Sequence, residues 1–292
     1  MNLTHHSEYG RLKTVYLQHV SNGFVSQDFI SKQWKDLNYL SEPAYANALK
    51  EYAAFEKLIG SAGADVSYFD SHPSLGIDAI YCRDSSIVTN FGIILCNMGK
   101  KARKNEPESV GTTYQKHKHN ILGKITSPGT IEGGDVCWIN ENTLAVGHTY
   151  RTNMEGINQL KALLEPHGIT IIIVDLPHYK GASDVFHLMS ILSPVDKDLM
   201  VVYSPLMPIS FRNKLLDMGN QLIEVPESEF DSMGCNVLAI APRECIMVDG
   251  NPITKQLLEE AGAVVHTYKG EEISVKGGGG PTCLTRPLVR DE

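Results

Sequence analysis

The sequence lacks the features that mark membrane-spanning, secreted and nucleic-acid-binding proteins. No apolar run approaches the roughly 20 residues of a transmembrane helix, and the first residues, MNLTHHSEYG, contain no basic segment followed by an apolar one. The formal net charge of −8 disfavours a general surface for nucleic acid or anionic lipid. We therefore expect a cytoplasmic protein without a membrane or nucleic-acid partner. The acidic charge weakly favours a cationic small molecule, although an ordinary solvated surface explains it equally well.

The six cysteines form no C-x-x-C pair and no Cys/His cluster with the spacing of zinc ligands. A chain of 292 residues can bury a substantial core without disulfides, so we expect free thiols in a reducing compartment. Four cysteines lie in apolar segments and are interpreted as small core residues: Cys82, Cys96, Cys137 and Cys245. Neither a metal nor an organic cofactor is expected.

One order of predicted elements occurs five times: strand, strand, helix, strand. The clearest copy has the strands GDVCWIN and TLAVGH, a helix near 153–165 and the strand ITIIIVD. The other copies are built on strands within 85–97, 186–193, 199–204 and 236–250 and on helices near 43–60, 107–122, 211–219 and 252–262. The fifth copy joins the two ends of the chain, because CLTRPL (283–288) is predicted to pair with LKTVYLQ (12–18).

Five such modules joined through the termini can bury a continuous core without polar end caps. We therefore predict a single α/β domain over residues 1–292, made of five ββαβ modules with fivefold pseudo-symmetry. A closed ring of this kind is a five-bladed α/β propeller. The alternative is an open α/β sheet with a similar element order.

Polar or reactive residues stand just before or at the first strand of each module. They are Arg83 with Asp84, Glu132 with Asp135, His187, Cys235 with Asn236, and Cys283. Equivalent positions converge near the axis of a ring, so we expect Asp84, Glu132, His187 and Cys283 to meet. Together they would supply an anchor for positive charge, a group that orients an acid–base, the acid–base itself and a nucleophile.

Two of these candidates also have plainer interpretations. Cys283 follows KGGGGPT, and four ordered glycines are costly in backbone entropy. We interpret the run as a strained turn or a close approach of a ligand, rather than as a flexible linker. His187, in SDVFHLMS, would on local grounds be a core histidine. Its position in the module favours a functional role, with Glu132 as a natural partner.

These motifs together resemble the guanidino-group-modifying enzyme superfamily of arginine deiminases, amidinotransferases and dimethylarginine dimethylaminohydrolases. The matching strings follow one another along nearly the whole chain: SEYGRLKTVYL, YCRDSSIVT, MGKKARKNE, IEGGDV, YRTN, FHL and GGGGPTCLT. Each is weak alone, and together they are specific, with the dimethylarginine hydrolases as the most similar group. The resemblance implies the pentein fold, which is a five-bladed α/β propeller. By matching motif it also implies Cys283 as nucleophile, His187 as acid–base and Glu132 as its partner.

The resemblance further implies a set of substrate-binding residues. Asp84 matches the carboxylate that holds the guanidinium, and Asp78 matches a second acidic position of the dimethylarginine hydrolases. Asp135 of IEGGDV is included with them. Arg103 and Arg151 match arginines that hold the substrate α-carboxylate, which points to an amino-acid substrate.

Two positions depart from the family pattern. Arginine deiminases and amidinotransferases have His-x-Asp where this chain has His187-Leu188-Met189. A thioether is a weak acceptor, and each unmet guanidinium donor would cost about 1–3 kcal/mol. Met189 therefore suits a methylated or uncharged end, as in dimethylarginine or citrulline. Arg83 stands where dimethylarginine hydrolases usually carry Glu, which leaves the exact substrate open.

We therefore predict a cysteine-dependent hydrolase acting on the guanidino carbon of an arginine-like amino acid, through a covalent thiouronium intermediate. The favoured reaction converts dimethylarginine to citrulline and dimethylamine. The alternatives are a citrulline ureido-hydrolase, an arginine deiminase or an amidinotransferase with the same residues, and a non-catalytic binding protein. The expected partner is a small guanidino or ureido amino acid, and self-association into a homo-oligomer is left open.

Overall fold

The computed structural model describes residues 4–291, so Met1–Leu3 and Glu292 of the predicted domain lie outside the described residues. The strands are β1 (Arg11–Leu17), β2 (Asp65–Tyr68), β3 (Ser86–Thr89), β4 (Gly92–Leu95), β5 (Ile121–Lys124), β6 (Val136–Asn140), β7 (Thr143–His148), β8 (Thr170–Asp175), β9 (Leu192–Asp196), β10 (Leu199–Val202), β11 (Gln221–Glu224), β12 (Leu238–Ala241), β13 (Glu244–Val248), β14 (Val264–Tyr268) and β15 (Arg286–Asp291). The α-helices are α1 (Val20–Gly23), α2 (Gln27–Ser31), α3 (Tyr45–Ser61), α4 (Glu106–Lys116), α5 (Met154–Leu164), α6 (Ile209–Asp217), α7 (Glu227–Phe230) and α8 (Pro252–Glu260).

The strands form five three-stranded sheets of identical design. Their orders are β15-β1-β2, β3-β4-β5, β6-β7-β8, β9-β10-β11 and β12-β13-β14. In each sheet the first strand pairs antiparallel with the second, and the second pairs parallel with the third. A helix links each parallel pair: α3, α4, α5, α6 or α8. The predicted ββαβ order is thus confirmed in all five modules, including the one that joins both ends of the chain.

Neighbouring modules contact one another through strands of their sheets or through the turns before their first strands. β9 contacts β12, β12 contacts β1, and β15 contacts β3. The 3-10 turn Gly133–Asp135 contacts two equivalent turns, Cys82–Ser85 and Leu188–Ser190. Each module therefore touches the next, and the last touches the first.

The middle strands β4, β7, β10 and β13 are largely apolar without alternation because both of their faces are covered. Every residue of β10 is fully buried, as are Leu144, Ala145 and Val146 of β7. A strand packed between a helix and neighbouring modules has no solvent face, so a continuous apolar run is expected. The helices instead show one apolar face: Ile157, Leu160 and Leu164 of α5 are fully buried. Among the described residues, no helix is both long and apolar enough to cross a bilayer.

Three predicted boundaries are wrong. The strand predicted over 186–193 is a 3-10 turn at Leu188–Ser190 followed by β9. His187 N donates to Ser190 Oγ at 3.1 Å, and Leu188 N donates to Asp135 at 3.0 Å, so local polar contacts turn the chain. The strand predicted to begin at Cys283 begins three residues later with β15, and Cys283 lies on the preceding turn. The helix predicted to run to residue 122 ends at Lys116, before the short β5.

Candidate active site

The turns that precede the first strands carry the predicted site residues. Glu132 and His187 stand at the N-termini of two 3-10 turns, and Asp84 lies within a third. Cys283 occupies the equivalent place before β15. All four line one cavity of about 20 Å³. The structure therefore brings together the four residues that the repeat placed at equivalent positions.

His187 and Glu132 form a buried pair. Nε2 of His187 lies 2.8 Å from Oε2 of Glu132, and Nδ1 lies 4.0 Å from Oδ1 of Asp84. Burial alone would lower the pKa of His187, but the charges of Asp135, Asp84 and Glu132 hold it above its usual range. Burial would raise the pKa of Glu132, but its bond to His187⁺ holds it below its usual range. At neutral pH the pair is imidazolium and carboxylate, so Nδ1 holds a proton that it can donate into the cavity.

Asp84 is fixed from both sides. Its Oδ1 accepts a hydrogen bond from Gly134 N at 2.9 Å, and its Oδ2 accepts one from Arg103 Nη1 at 2.5 Å. A Cβ at Gly134 would lie 2.5 Å from His187 Nδ1 and 2.8 Å from Asp84 Oδ1. Only glycine therefore permits the close approach of the imidazole and this carboxylate.

Asp84, Glu132 and His187 are also the one group of described residues arranged to hold a metal ion, since their ligand atoms all lie within 4.8 Å of one another. His187 already bonds Glu132 through Nε2, which leaves Nδ1 as its open ligand atom. The carboxylates of Asp84 and Glu132 equally suit the binding of a cationic group of a substrate.

Cys283 is a partly exposed thiol held by hydrogen bonds. Asn236 Nδ2 donates to Sγ at 3.3 Å, and Asn236 Oδ1 accepts from Thr282 N at 3.0 Å, which fixes the turn. Burial and the charge of Asp84 raise the pKa of Cys283, against the hydrogen bonds of Asn236 and Thr282 and the charge of Arg83. The resting residue is a thiol, and a cation placed between Cys283 and Asp84 would lower its pKa.

The four glycines before Cys283 form a compact turn, so the linker alternative is wrong. A Cβ on Gly279 would lie 2.5 Å from the ring of Tyr81, and one on Gly280 would lie 2.5 Å from Asn236. Gly278 has φ +73°, in the left-handed region that favours glycine. The close neighbours are side chains that support the turn carrying Cys283.

The two predicted carboxylate-binding arginines differ in how many donors remain open. Arg103 donates to both oxygens of Glu106 at 2.8 and 2.7 Å, to Tyr81 O at 2.9 Å and to Asp84. Four of its five N–H groups are thus used, two of them by Glu106, so Arg103 has one N–H group left for another acceptor. Arg151 donates to the carbonyl of Asp184 at 3.1 Å, and its Nε has no partner among the described residues. Arg151 is therefore the better placed of the two to receive an anion.

Asp78 is paired inside the same cavity. Lys100 Nζ donates to Asp78 Oδ2 at 2.6 Å and to Leu37 O at 3.0 Å. A carboxylate and a carbonyl thus already form an ammonium site, which the chain fills with its own side chain. Any ligand that needs Asp78 has to displace Lys100.

The prediction that Asp135 binds the substrate requires a correction. Asp135 lines neither this cavity nor the larger cavity that Met189 lines. It is fully buried and accepts from Thr149 Oγ1 at 2.7 Å and from Leu188 N at 3.0 Å. Burial raises the pKa of Asp135 to about 6, although these bonds and His187 oppose the shift. Asp135 thus positions the turn after His187 and is not placed to contact a substrate.

Met189 lines a second, larger cavity of about 230 Å³, which also reaches His187 and Cys283. Its other apolar lining residues include Tyr179, Val185, Phe186, Phe230, Met233 and Val275. Met189 therefore faces an apolar space beside Cys283, whereas the polar cavity lies on the Asp84 side.

The Arg83 side chain lines neither of these two cavities. It is fully buried, and its Nη2 donates to Glu8 at 2.6 Å. The departure from the family pattern at this position therefore does not alter the lining of these two cavities.

Three contributors to the site were missed by the sequence prediction. Asn236 had a signal, since it stands at the start of its module. The pairing of Arg103 with Glu106 has the helical i,i+3 spacing. Nothing in the sequence distinguished Lys100 from its neighbours in KKARK.

Comparisons with known proteins show which family this chain is similar to. A family model described as N,N dimethylarginine dimethylhydrolase, eukaryotic, matches residues 20–290. The N(G),N(G)-dimethylarginine dimethylaminohydrolase of Pseudomonas aeruginosa is 26% identical over 248 residues, covering 85% of this chain and 91% of that protein. The arginine deiminase of Listeria welshimeri is 26% identical over 266 residues, covering 77% of this chain and 63% of that protein. The chain thus spans less than two-thirds of that deiminase.

The same fold occurs among solved structures. A cysteine-to-serine mutant of the Pseudomonas aeruginosa dimethylarginine hydrolase, in complex with citrulline, superposes with a TM-score of 0.78 at 23% identity. The match covers 94% of this chain and 98% of that chain. At this identity the likeness shows a shared α/β fold.

Proposed function

The chain belongs to the N,N-dimethylarginine dimethylhydrolase family, and from this premise we propose that it hydrolyses dimethylarginine to citrulline and dimethylamine. As a member of this family, the chain is a hydrolase of carbon–nitrogen bonds in linear amidines. The observation that carries the choice of substrate is the apolar cavity of about 230 Å³ that opens onto Cys283 and His187 beside Met189. Methyl groups gain from burial there, whereas the unsubstituted end of arginine would find no carboxylate at Met189.

In the proposed reaction the guanidinium lies between Asp84 and Cys283. Its charge favours loss of the thiol proton to solvent, and the thiolate then adds to the central carbon. His187 donates its Nδ1 proton to the nitrogen of the leaving dimethylamine, and the carbon–nitrogen bond breaks to leave a thiouronium on Cys283. The neutral imidazole next takes a proton from water, and the hydroxide adds to the same carbon. Expulsion of the thiolate releases citrulline, and Glu132 orients the imidazole throughout.

The head of the amino acid is proposed to bind along the wall of the polar cavity that Arg151, Arg103 and Asp78 line. Arg151 and the remaining N–H of Arg103 receive the α-carboxylate by charge-assisted hydrogen bonds. Asp78 receives the α-ammonium after exchange with Lys100. Because the polar cavity is only about 20 Å³, substrate entry also requires movement of the segment around Val185, which lines it.

We also propose that the five modules form one closed ring, a five-bladed α/β propeller in a single domain. The support is the cyclic series of contacts between modules, from β9 to β12, from β12 to β1 and from β15 to β3. Such a ring explains why residues from four modules meet in one cavity.

The test is a product panel with dimethylarginine, monomethylarginine, arginine and citrulline, each followed by mass spectrometry. We expect dimethylamine and citrulline from dimethylarginine at the highest kcat/KM, and no turnover by Cys283→Ser, because an alcohol is a far weaker nucleophile. An equal or higher kcat/KM for arginine would contradict the proposed substrate. Transfer of the amidino group to an added amine would identify an amidinotransferase instead.

A further inference from the structure

Three arginines are buried together behind the turn that carries Cys283. Arg83, Arg286 and Arg290 are exposed by 5% or less. Arg286 and Arg290 lie four residues apart on β15, and burial, followed by the charge of Arg83, lowers the pKa of Arg286 to about 10. The backbone N of Arg83 donates to Cys283 O at 3.2 Å, which ties the cluster to the turn of the nucleophile.

The positive charge of this cluster exceeds the negative charge beside it. Among the described residues, Glu8 is the one carboxylate in an ion pair with any of the three guanidinium groups, through Arg83 at 2.6 Å. His6 supplies no compensating anion, and burial lowers its pKa to about 4, so it is neutral. Two positive charges are therefore left without a buried partner, an arrangement that proteins ordinarily offset with a counter-charge.

Several donors of the cluster also lack acceptors. Nε and Nη1 of Arg83, Nε of Arg286, and Nε and Nη2 of Arg290 have no hydrogen-bond partner among the described residues. Backbone carbonyls take the remaining Nη1 contacts, Ser86 O from Arg286 at 2.5 Å and Gly10 O from Arg290 at 2.6 Å. Spare donors and spare positive charge thus occur at the same place.

A small cavity adjoins two of these arginines, Arg83 and Arg286. Arg83, Arg286, Glu8 and the N-terminal histidines line it, and its volume is about 10 Å³, enough for one particle the size of a water molecule. The ring of His6 closes one side by stacking on Trp138 with centroids 3.5 Å apart. Phosphate, sulfate and carboxylates exceed this space several-fold, and a halide ion, which is monatomic, is the anion that requires the smallest enlargement of it.

We propose that this cavity is a binding site for a small monovalent anion of the halide class, such as chloride. Nε and Nη1 of Arg83 and Nε of Arg286 donate to the ion. Arg290, four residues after Arg286 on β15, adds positive charge. The segment His5–Glu8 encloses the ion, so anion binding holds this segment against the ring of modules. The proposal is independent of which guanidine the enzyme hydrolyses.

Diffraction from crystals of the full chain soaked in sodium bromide tests the site directly at the bromine absorption edge. We expect an anomalous peak in contact with the free nitrogens of Arg83 and Arg286. The soak uses bromide at a concentration that saturates the rise of Tm in solution. A density feature there without anomalous signal would then identify water and overturn the proposal.

Thermal unfolding gives the solution test. Sodium bromide is titrated against sodium gluconate at constant ionic strength, because gluconate is too large for the cavity. We expect a saturable rise of Tm with bromide. In Glu8→Gln the half-saturating bromide concentration should fall to roughly one tenth of the wild-type value or lower, because the loss of a nearby negative charge strengthens anion binding. Arg286→Met should abolish the saturable response.

An equal effect of gluconate, or an unchanged bromide response in Glu8→Gln, would show general screening and overturn the proposal. Bromide seen in the crystal without a saturable effect in solution would also overturn it. If Arg286→Met does not fold, the wild-type and Glu8→Gln titrations still decide the question.

Discussion

Replacing Lys100 with methionine should improve the binding of an α-amino acid substrate. Lys100 Nζ lies 2.6 Å from Asp78 Oδ2 and 3.0 Å from Leu37 O, at the place proposed for the substrate ammonium. The wild-type enzyme must break these contacts before Asp78 can receive the substrate. Methionine keeps much of the length of the side chain but has no charge, so it leaves Asp78 free.

The magnitude follows from the burial of this pair. The Lys100 and Asp78 side chains are 12% and 6% exposed, so solvent screens their interaction only partly. A hydrogen bond between charged groups contributes about 1.5–3 kcal/mol, and the displaced lysine recovers part of this in water. We therefore expect a net gain of about 1–2 kcal/mol, or a KM for dimethylarginine that is roughly 5- to 30-fold lower. Without substrate, Lys100→Met should be less stable, because Asp78 is then buried without a partner.

Steady-state kinetics measures this effect, with Lys101→Met as the control because Lys101 is the exposed neighbour. A second control is the analogue of dimethylarginine that lacks the α-amino group, which makes no use of Asp78 and should show no fall in KM. An unchanged or raised KM for dimethylarginine in Lys100→Met would refute the reasoning. An equal fall for both compounds would also refute it, since the ammonium would then be irrelevant.

Three other changes test the neighbouring parts of the site. Met189→Asp should shift the kcat/KM ratio from dimethylarginine towards arginine by about 10- to 100-fold, measured with both substrates in one tube, and no shift would exclude Met189 as a specificity residue. Gly134→Ala should reduce kcat at least about tenfold, because its Cβ would force His187 from Asp84; an unchanged rate would show that their proximity is dispensable. The pKa of His187 is raised from 6.5 to about 9, so the stability that its charge contributes is full below pH 6.5 and is lost as the pH rises through 9. The difference in unfolding free energy between wild type and His187→Gln should therefore fall by about 1–3 kcal/mol from pH 6 to pH 10 in urea titrations, and a constant difference would contradict the raised pKa.

The modules were predictable because strands and helices leave different apolar periods in the sequence. The continuous run in β10 and the single apolar face of α5 are such patterns, and their repetition places Asp84, Glu132, His187 and Cys283 at equivalent positions. Local boundaries were less predictable. The apolar residues after His187 favour a strand, but the bond from Leu188 N to the distant Asp135 turns the chain there.

The partners of charged residues were beyond the sequence for a similar reason. Motif matching gives Arg103 and Asp78 a place in the site, but it does not say which charged side chain pairs with each of them. The pairing depends on the three-dimensional proximity of Lys100 to Asp78 and of Arg103 to Asp84 and Glu106. For Asp135 the error had the same origin, because its buried contacts with Thr149 and Leu188 become visible only in the fold.

The central claim is that Cys283 attacks the guanidino carbon, and trapping the adduct tests it most directly. The enzyme is mixed with dimethylarginine carrying ¹³C at that carbon, quenched in acid within one turnover, and measured as intact protein and as peptides. We predict a labelled thiouronium on the peptide containing Cys283 and none in Cys283→Ser. The five other cysteines are buried, so they should stay unmodified. Labelled citrulline formed without any adduct, or an adduct on another residue, would contradict the account.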